Sequence, residues 1–253
     1  MSDNALVLRE SGVAKSDNAL VLDRMSQSYG TLEVLRGFDL IVQQGEFVAL
    51  VGPSGCGKTT LLNLLSGNEA PSSGSISRKG VVRMVYQQDG LLPWLTVVQN
   101  IALGLRHVPK EADRTQQAGE MLRFIGLDGF GESYPHQLSG GMKQRVELAR
   151  ALAGESDILL MDEPFSALDY LTRLRMRQEL SRLLSERPRT VVFVTHDIDE
   201  AAQLADRIVV LSARPAHIVC ELTIDLPRPR IPTHPQVVAA VQRILTEMGV
   251  VGA

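Results

Sequence analysis

The 253-residue chain can hold one large domain or two small ones, and 44% hydrophobic against 22% charged residues is ordinary globular composition. A formal net charge of -3 leaves no basic footprint for a phosphate backbone, so nucleic acid is excluded as an expected partner. No apolar run approaches the roughly 18 residues a bilayer-spanning helix needs, and two cysteines, Cys56 and Cys220, build no disulfide framework and suit a reducing compartment.

The start, Met1-Ser-Asp-Asn, lacks the basic and apolar regions of a secretory leader. Ser-Asp-Asn-Ala-Leu-Val-Leu occurs at Ser2–Leu8 and again at Ser16–Leu22. The first eighteen residues therefore read as a poorly ordered extension, and one domain is expected over residues 19–253. Apolar alternation predicts strands at Ala19–Met25 and Phe38–Val42, on either side of a Tyr29-Gly30 turn, and a buried strand at Phe47–Val51.

That strand runs into Gly52-Pro53-Ser54-Gly55-Cys56-Gly57-Lys58-Thr59-Thr60, which fits the phosphate-loop pattern G-x-x-x-x-G-K-[ST]. Backbone N–H groups of such a loop cradle the phosphates of ATP. Lys58 is expected at the β- and γ-phosphates, with the Thr59 hydroxyl on Mg²⁺. Cys56 is expected to be a small loop residue rather than a reactive thiol. The helix that follows starts near Lys58 and stops at Gly67, where glycine accepts a left-handed cap.

Pro71-Ser-Ser-Gly74 predicts a turn, followed by strands at Ser75–Ser77 and Val81–Tyr86. Helical spacing dominates from about Leu91 to Ala153, with helices over Val97–Leu105 and after Pro109, so residues 88–154 read as a helical insertion. Unbroken apolar runs return at Asp157–Met161 and Thr190–Val194, separated by a helix over Leu168–Glu186. Such runs between helices predict a parallel sheet covered on both faces. Closing strands are expected at Arg207–Leu211 and His217–Leu222, then a stiff Pro227–Pro232 linker and a helix over Gln236–Met248.

Asp162 and Glu163 end the Ile158–Met161 strand, the rim where open α/β sheets bind ligands. Asp162 suits a hold on Mg²⁺, and Glu163 suits a general base for water attacking the γ-phosphate. His196 emerges after Thr195 on the same rim, placed to touch the γ-phosphate or to orient Glu163.

Taken in order, the phosphate loop, Gln87, Leu138-Ser139-Gly140-Gly141-Met142, Leu159–Pro164, Ser166-Ala-Leu-Asp169 and His196 resemble the ATPase subunit of an ABC transporter. The resemblance covers nearly everything after residue 19. It implies an α/β P-loop NTPase with a mixed sheet core and a helical signature subdomain, using ATP and Mg²⁺. Two copies would pack head to tail, each phosphate loop closed by the Ser139-Gly140-Gly141 segment of the other; a helix start there can offer hydroxyl and N–H groups to a γ-phosphate.

The same resemblance implies that Tyr29 stacks on adenine, that Gln87 senses Mg²⁺ and the attacking water, and that Asp169 communicates across the dimer. Residues Gln87–Val98, including Trp94, are similar to the nitrate, sulfonate and taurine importers, as are Met142, Met161–Phe165, Ser212–Pro215 and Asp225–Pro229. Membrane permease subunits would dock near Gln87–Leu95 by a helix-in-groove mode. An extracytoplasmic solute-binding protein would act indirectly, and the chain would sit on the cytoplasmic face of the inner membrane. A soluble ABC-type ATPase without a permease is the alternative. Ser166 departs from the glycine many relatives carry, which reads as a change in a linker.

Overall fold

The computed structural model describes residues 17–86 and 90–250. Three strands form an antiparallel sheet in the order β2 (Leu32–Gln43), β1 (Asn18–Tyr29), β4 (Ser73–Arg78). Six more form the central sheet, in the order β5 (Val82–Val85), β6 (Ile158–Asp162), β7 (Thr190–Val194), β3 (Phe47–Val51), β8 (Arg207–Leu211), β9 (Ile218–Thr223). Its first five strands are parallel, and β9 pairs antiparallel with β8. The sheet is therefore mixed, where apolar runs alone predicted a parallel one.

The reason those runs are unbroken is visible in the two cores. Phe47, Ala49 and Val51 of β3 face one apolar cluster while Val48 and Leu50 face another, and β6, β7 and β8 alternate in the same way. Both faces are buried, so the period-2 pattern has no polar half. One core lies between the central sheet, the antiparallel sheet and α1 (Lys58–Ser66); Leu61, Leu62, Leu64 and Leu65 of α1 are fully buried. Full burial of each such leucine contributes about 1.5–3 kcal/mol.

The other core gathers α2 (Val97–Ala102), α3 (Glu111–Phe124), α4 (Gly140–Ala153), α5 (Tyr170–Glu186), α6 (Ile198–Leu204) and α7 (Pro235–Glu247). Phe193 sits at its centre, 5.7 Å from Phe47 and 6.0 Å from Phe165 between ring centroids. Helices α2, α3 and α4 pack on one another and occupy the expected insertion between β5 and β6.

Several boundaries differ from the sequence expectation. β1 begins at Asn18, so the last residues assigned to the extension belong to the domain; residues 1–16, with the first copy of the repeat, lie outside the described residues. Ser73 and Gly74, expected in a turn, are strand residues. Gly74 has φ +76 opposite an irregularity in β1, and a Cβ there would lie 2.4 Å from the Arg24 carbonyl oxygen. A glycine that signals a turn in sequence serves here as a bulge. Helix α5 starts at Tyr170 rather than Leu168, because Asp169 adopts extended backbone and caps it, accepting from the Thr172 N–H at 3.1 Å.

Candidate nucleotide site

The β3–α1 connection brings the phosphate loop to the rim of the central sheet. Gly57 caps α1 with φ +119, and a Cβ on it would lie 2.7 Å from Val34 Cγ1, so only glycine fits where the loop meets β2. Lys58 is buried and donates to the carbonyl oxygens of Gly52 at 2.8 Å and Pro53 at 3.0 Å. Its ammonium thus rests across the loop it belongs to. Cys56 is buried, as a small loop residue should be.

A cavity of about 570 Å³ opens over this loop, lined by Ser54, Gly55, Gly57, Lys58, Thr59, Thr60, Asp162, Glu163 and His196, with Val34, Val194 and Arg214. Glycine loop, strand-end acids and histidine, 138 residues apart in sequence from Lys58 to His196, are brought to one place. Asp162 is 2% exposed, and burial holds its carboxyl above the usual range while a hydrogen bond with Thr59 pulls the other way. Thr59 hydroxyl and Asp162 carboxylate form a hard oxygen pair at the α1 N-terminus, which is the donor chemistry Mg²⁺ takes.

Glu163 follows with φ +46, in the left-handed region that non-glycine residues avoid. Its backbone is held from both sides. Its N–H donates to Val194 O at 2.9 Å, and its carbonyl accepts from the Ser166 N–H at 3.1 Å, the Ser166 hydroxyl at 2.9 Å and Gln144 Nε2 at 3.0 Å. Over-determination of this kind keeps a strained conformation at a site. The side chain then lies with Oε1 3.1 Å from His196 Nδ1. With Nδ1 protonated, His196 donates to the carboxylate and fixes its direction.

Ser166 is therefore more than a linker change, since its hydroxyl supplies one of the three bonds on the Glu163 carbonyl. Gln144, which the sequence reading passed over, also accepts from the Ala167 N–H at 3.0 Å. It ties the signature helix to the strand-end acids. Arg214 is the other omission: its Nε donates to Gly55 O at 3.0 Å, bracing the phosphate loop at the cavity wall.

Ser139, Gly140 and Gly141 are brought together at the start of α4 but do not line the cavity over Lys58. Ser139 caps the helix, accepting from the Met142 N–H at 3.3 Å. Gly141 packs against the Ala167 carbonyl, while a Cβ on Gly140 would meet nothing within 4 Å. Tyr29 also lies off the cavity lining; its ring is half exposed and its hydroxyl donates to Glu69, a bond that raises its pKa. Both groups present free faces outward. Asp169 is exposed, and its bonds to Thr172 lower its carboxyl pKa.

Gln87 lies outside the described residues. Its flanks are anchored: the Glu147 carboxylate accepts from the N–H groups of Tyr86 at 3.4 Å and Gly90 at 3.1 Å, and Arg150 donates to Gly90 O at 2.9 Å. Just beyond, the fully buried Asn100 bonds Leu92 on both its backbone groups, donating also to Leu95 O and Thr96 O. This clamp holds the loop on which Trp94 stands 69% exposed. Among the described residues no helix is long and apolar enough to cross a membrane.

Comparison with known proteins agrees with the geometry. The ABC transporter family model matches residues 35–166. The aliphatic sulfonates import ATP-binding protein SsuB 1 of Paracoccus denitrificans is 45% identical over 234 residues, covering 92% of this chain and 94% of that one. The bicarbonate transport ATP-binding protein CmpC of Synechococcus elongatus is 47% identical over 209 residues, 78% of this chain and 31% of that longer one. Among solved structures, a bacterial ABC transporter cassette in dimeric form superposes with TM-score 0.73 at 33% identity, covering 81% of this chain and 98% of the other.

Proposed function

Because the chain belongs to the ABC transporter ATP-binding family, we propose that it is the ATP-hydrolysing subunit of an importer for a small oxyanion such as a sulfonate, nitrate or bicarbonate. The convergence of Lys58, Thr59, Asp162, Glu163 and His196 on one cavity carries this reading. The triphosphate of ATP lies along the N–H groups from Gly55 to Thr59 at the positive end of α1. Lys58 exchanges the Gly52 and Pro53 carbonyls for β- and γ-phosphate oxygens. Thr59 and Asp162 would hold Mg²⁺, and when bound it supplies charge neutralisation on those oxygens.

Water attacks the γ-phosphorus, forming a new P–O bond as the bond to the β–γ bridging oxygen breaks, and its proton passes to the Glu163 carboxylate. His196 holds that carboxylate through Oε1 and turns its other nitrogen toward the phosphate. Products are ADP and phosphate. Ser139, Gly140 and Gly141 do not line the cavity of their own chain, which supports a site completed by these residues of a second copy packed head to tail. Tyr29 would stack on the adenine at the outer edge, and Gln87 would report the state of the γ-phosphate to a permease seated near Trp94.

Binding of ATP thus favours the closed pair, and hydrolysis releases it, which is a ligand-driven population shift. Glu163→Gln keeps the shape and loses the base. It should bind ATP, abolish turnover and accumulate as a dimer on size exclusion; steady-state hydrolysis at the wild-type rate would overturn the assignment.

A further inference from the structure

Behind the nucleotide cavity, between α5 and α6, lies a cluster of charge that the hydrolysis reaction as described does not use. Arg173, in the first turn of α5, donates through Nη2 to Leu168 O at 3.0 Å. Its Nη1 lies 3.6 Å from Asp197 Oδ2, and its Nε lies 4.0 Å from Glu200 Oε1 without making a hydrogen bond. Leu168 immediately precedes Asp169, and Asp197 immediately follows His196. One guanidinium therefore touches both segments, although neither is near the other in sequence.

The surroundings make this contact directional. Asp197 caps α6 with its other oxygen, accepting from the Glu200 N–H at 3.2 Å, and Thr195 donates its hydroxyl to Glu200 Oε2 at 2.7 Å. Thr195 also accepts from the Asp197 N–H at 3.0 Å, so the residues on both sides of His196 belong to one bonded unit. Arg177, one turn further along α5, is 5% exposed, and its Nε and Nη1 have no hydrogen-bond partner among the described residues. The groups facing Glu200 are thus Thr195, Asp197, Arg173 and Arg177, the last two from α5.

An ion pair at 3.6 Å between side chains 26% and 23% exposed adds little to stability. The planar fork, however, fixes the relative position of two loops in a way a point charge cannot. We propose that Arg173 is a positioning residue that couples the Ser166–Asp169 turn to the loop carrying His196, so that displacement of the turn by an approaching second copy reaches the His196–Glu163 pair. The inference rests on the catalytic reading of Glu163 and His196 given above.

A double-mutant cycle on the ATPase of the full chain tests it. Arg173→Ala should lower kcat about tenfold with KM for ATP within about twofold, since the nucleotide contacts are untouched. Asp197→Asn keeps the oxygen that caps α6 and loses the charge that Arg173 meets. If the coupling runs through this pair, the double variant is no slower than Arg173→Ala alone. Arg173→Lys, which keeps the charge but has one ammonium for two loops, should stay closer to Arg173→Ala than to wild type, and it carries the cycle should the alanine variant lose its fold. Additive losses, or an Arg173→Ala enzyme with wild-type kcat, would overturn the proposal. His196→Ala separates the two readings: if it retains turnover the catalytic reading itself fails, and if it is inactive while the cycle is additive only the coupling fails.

Discussion

Gly140→Ala puts a single methyl at the first residue of α4, and its consequences differ sharply between one chain and two. Within the chain the new Cβ meets nothing within 4 Å, and Gly140 is not at positive φ. The substitution removes conformational freedom from the unfolded chain and suits a helix, so it should stabilise by about 0.4–1 kcal/mol. For a chain of this size that raises Tm by about 1–4 °C. In the proposed head-to-tail pair the same methyl would stand where backbone meets γ-phosphate. Displacing one backbone donor from the phosphate would cost about 10²–10³-fold in kcat, or roughly 3–4 kcal/mol.

Thermal unfolding without nucleotide, steady-state hydrolysis, and ATP-dependent dimerisation in a Glu163→Gln background read the three effects apart. Gly141→Ala is the internal contrast: its Cβ would lie 2.8 Å from Ala167 O, short of the 3.4 Å where ordinary contact begins. It should lower stability by about 1–3 kcal/mol before any partner is considered. Wild-type hydrolysis by Gly140→Ala would refute the assignment of this segment to a second copy's nucleotide. A lowered Tm for Gly140→Ala would refute the reasoning about the free chain.

Glu200 makes folding stability depend on pH. Burial lifts its carboxyl from 4.5 to about 7, against the opposing Thr195 bond and the two α5 guanidiniums. Because the folded-state value is raised, this contribution is fully present below pH 4.5 and is lost as pH rises toward about 7, a swing of at most about 3 kcal/mol. Urea unfolding of wild type and Glu200→Gln should therefore show the glutamine variant gaining relative stability between pH 5 and pH 8; a constant difference would remove the buried-acid explanation. Trp94→Ala should unfold within about 0.5 kcal/mol of wild type, since the indole is largely exposed. Co-purification with membrane subunits should fall, and unchanged co-purification would move the docking surface elsewhere.

The phosphate loop, the strand-end acids and His196 were legible because each is bound to a local signal: a buried strand before, a helix or turn after, and a residue type whose chemistry has few other uses. Gly57 and Gly67 announced α1 at both ends. Gln144 left no such trace, because a glutamine in a helix looks solvated until Glu163 O, Ser166 and Ala167 N are folded around it. Arg173 and Arg214 were hidden for the same reason, their partners being carbonyls that every residue carries. Gly74 misled in the opposite direction, since a turn and a bulge ask the same backbone freedom of glycine. The antiparallel β9 could not be told from a parallel strand by its apolar residues, which are silent about direction.

The Gln144 amide has a consequence for timing. In the proposed head-to-tail pair, Glu163 would serve the nucleotide on its own chain's loop, whereas the segment at the start of α4 would serve the nucleotide on the other. One residue, rooted in α4 and bonded through its amide to the Glu163 carbonyl at 3.0 Å and to the Ala167 N–H at 3.0 Å, would thus link the two. In that pair a cleavage event in one half would reach the grip on the remaining ATP without crossing the protein–protein boundary at all. The two turnovers would be ganged by the stiffness of a single polypeptide, and their order would be set inside each chain.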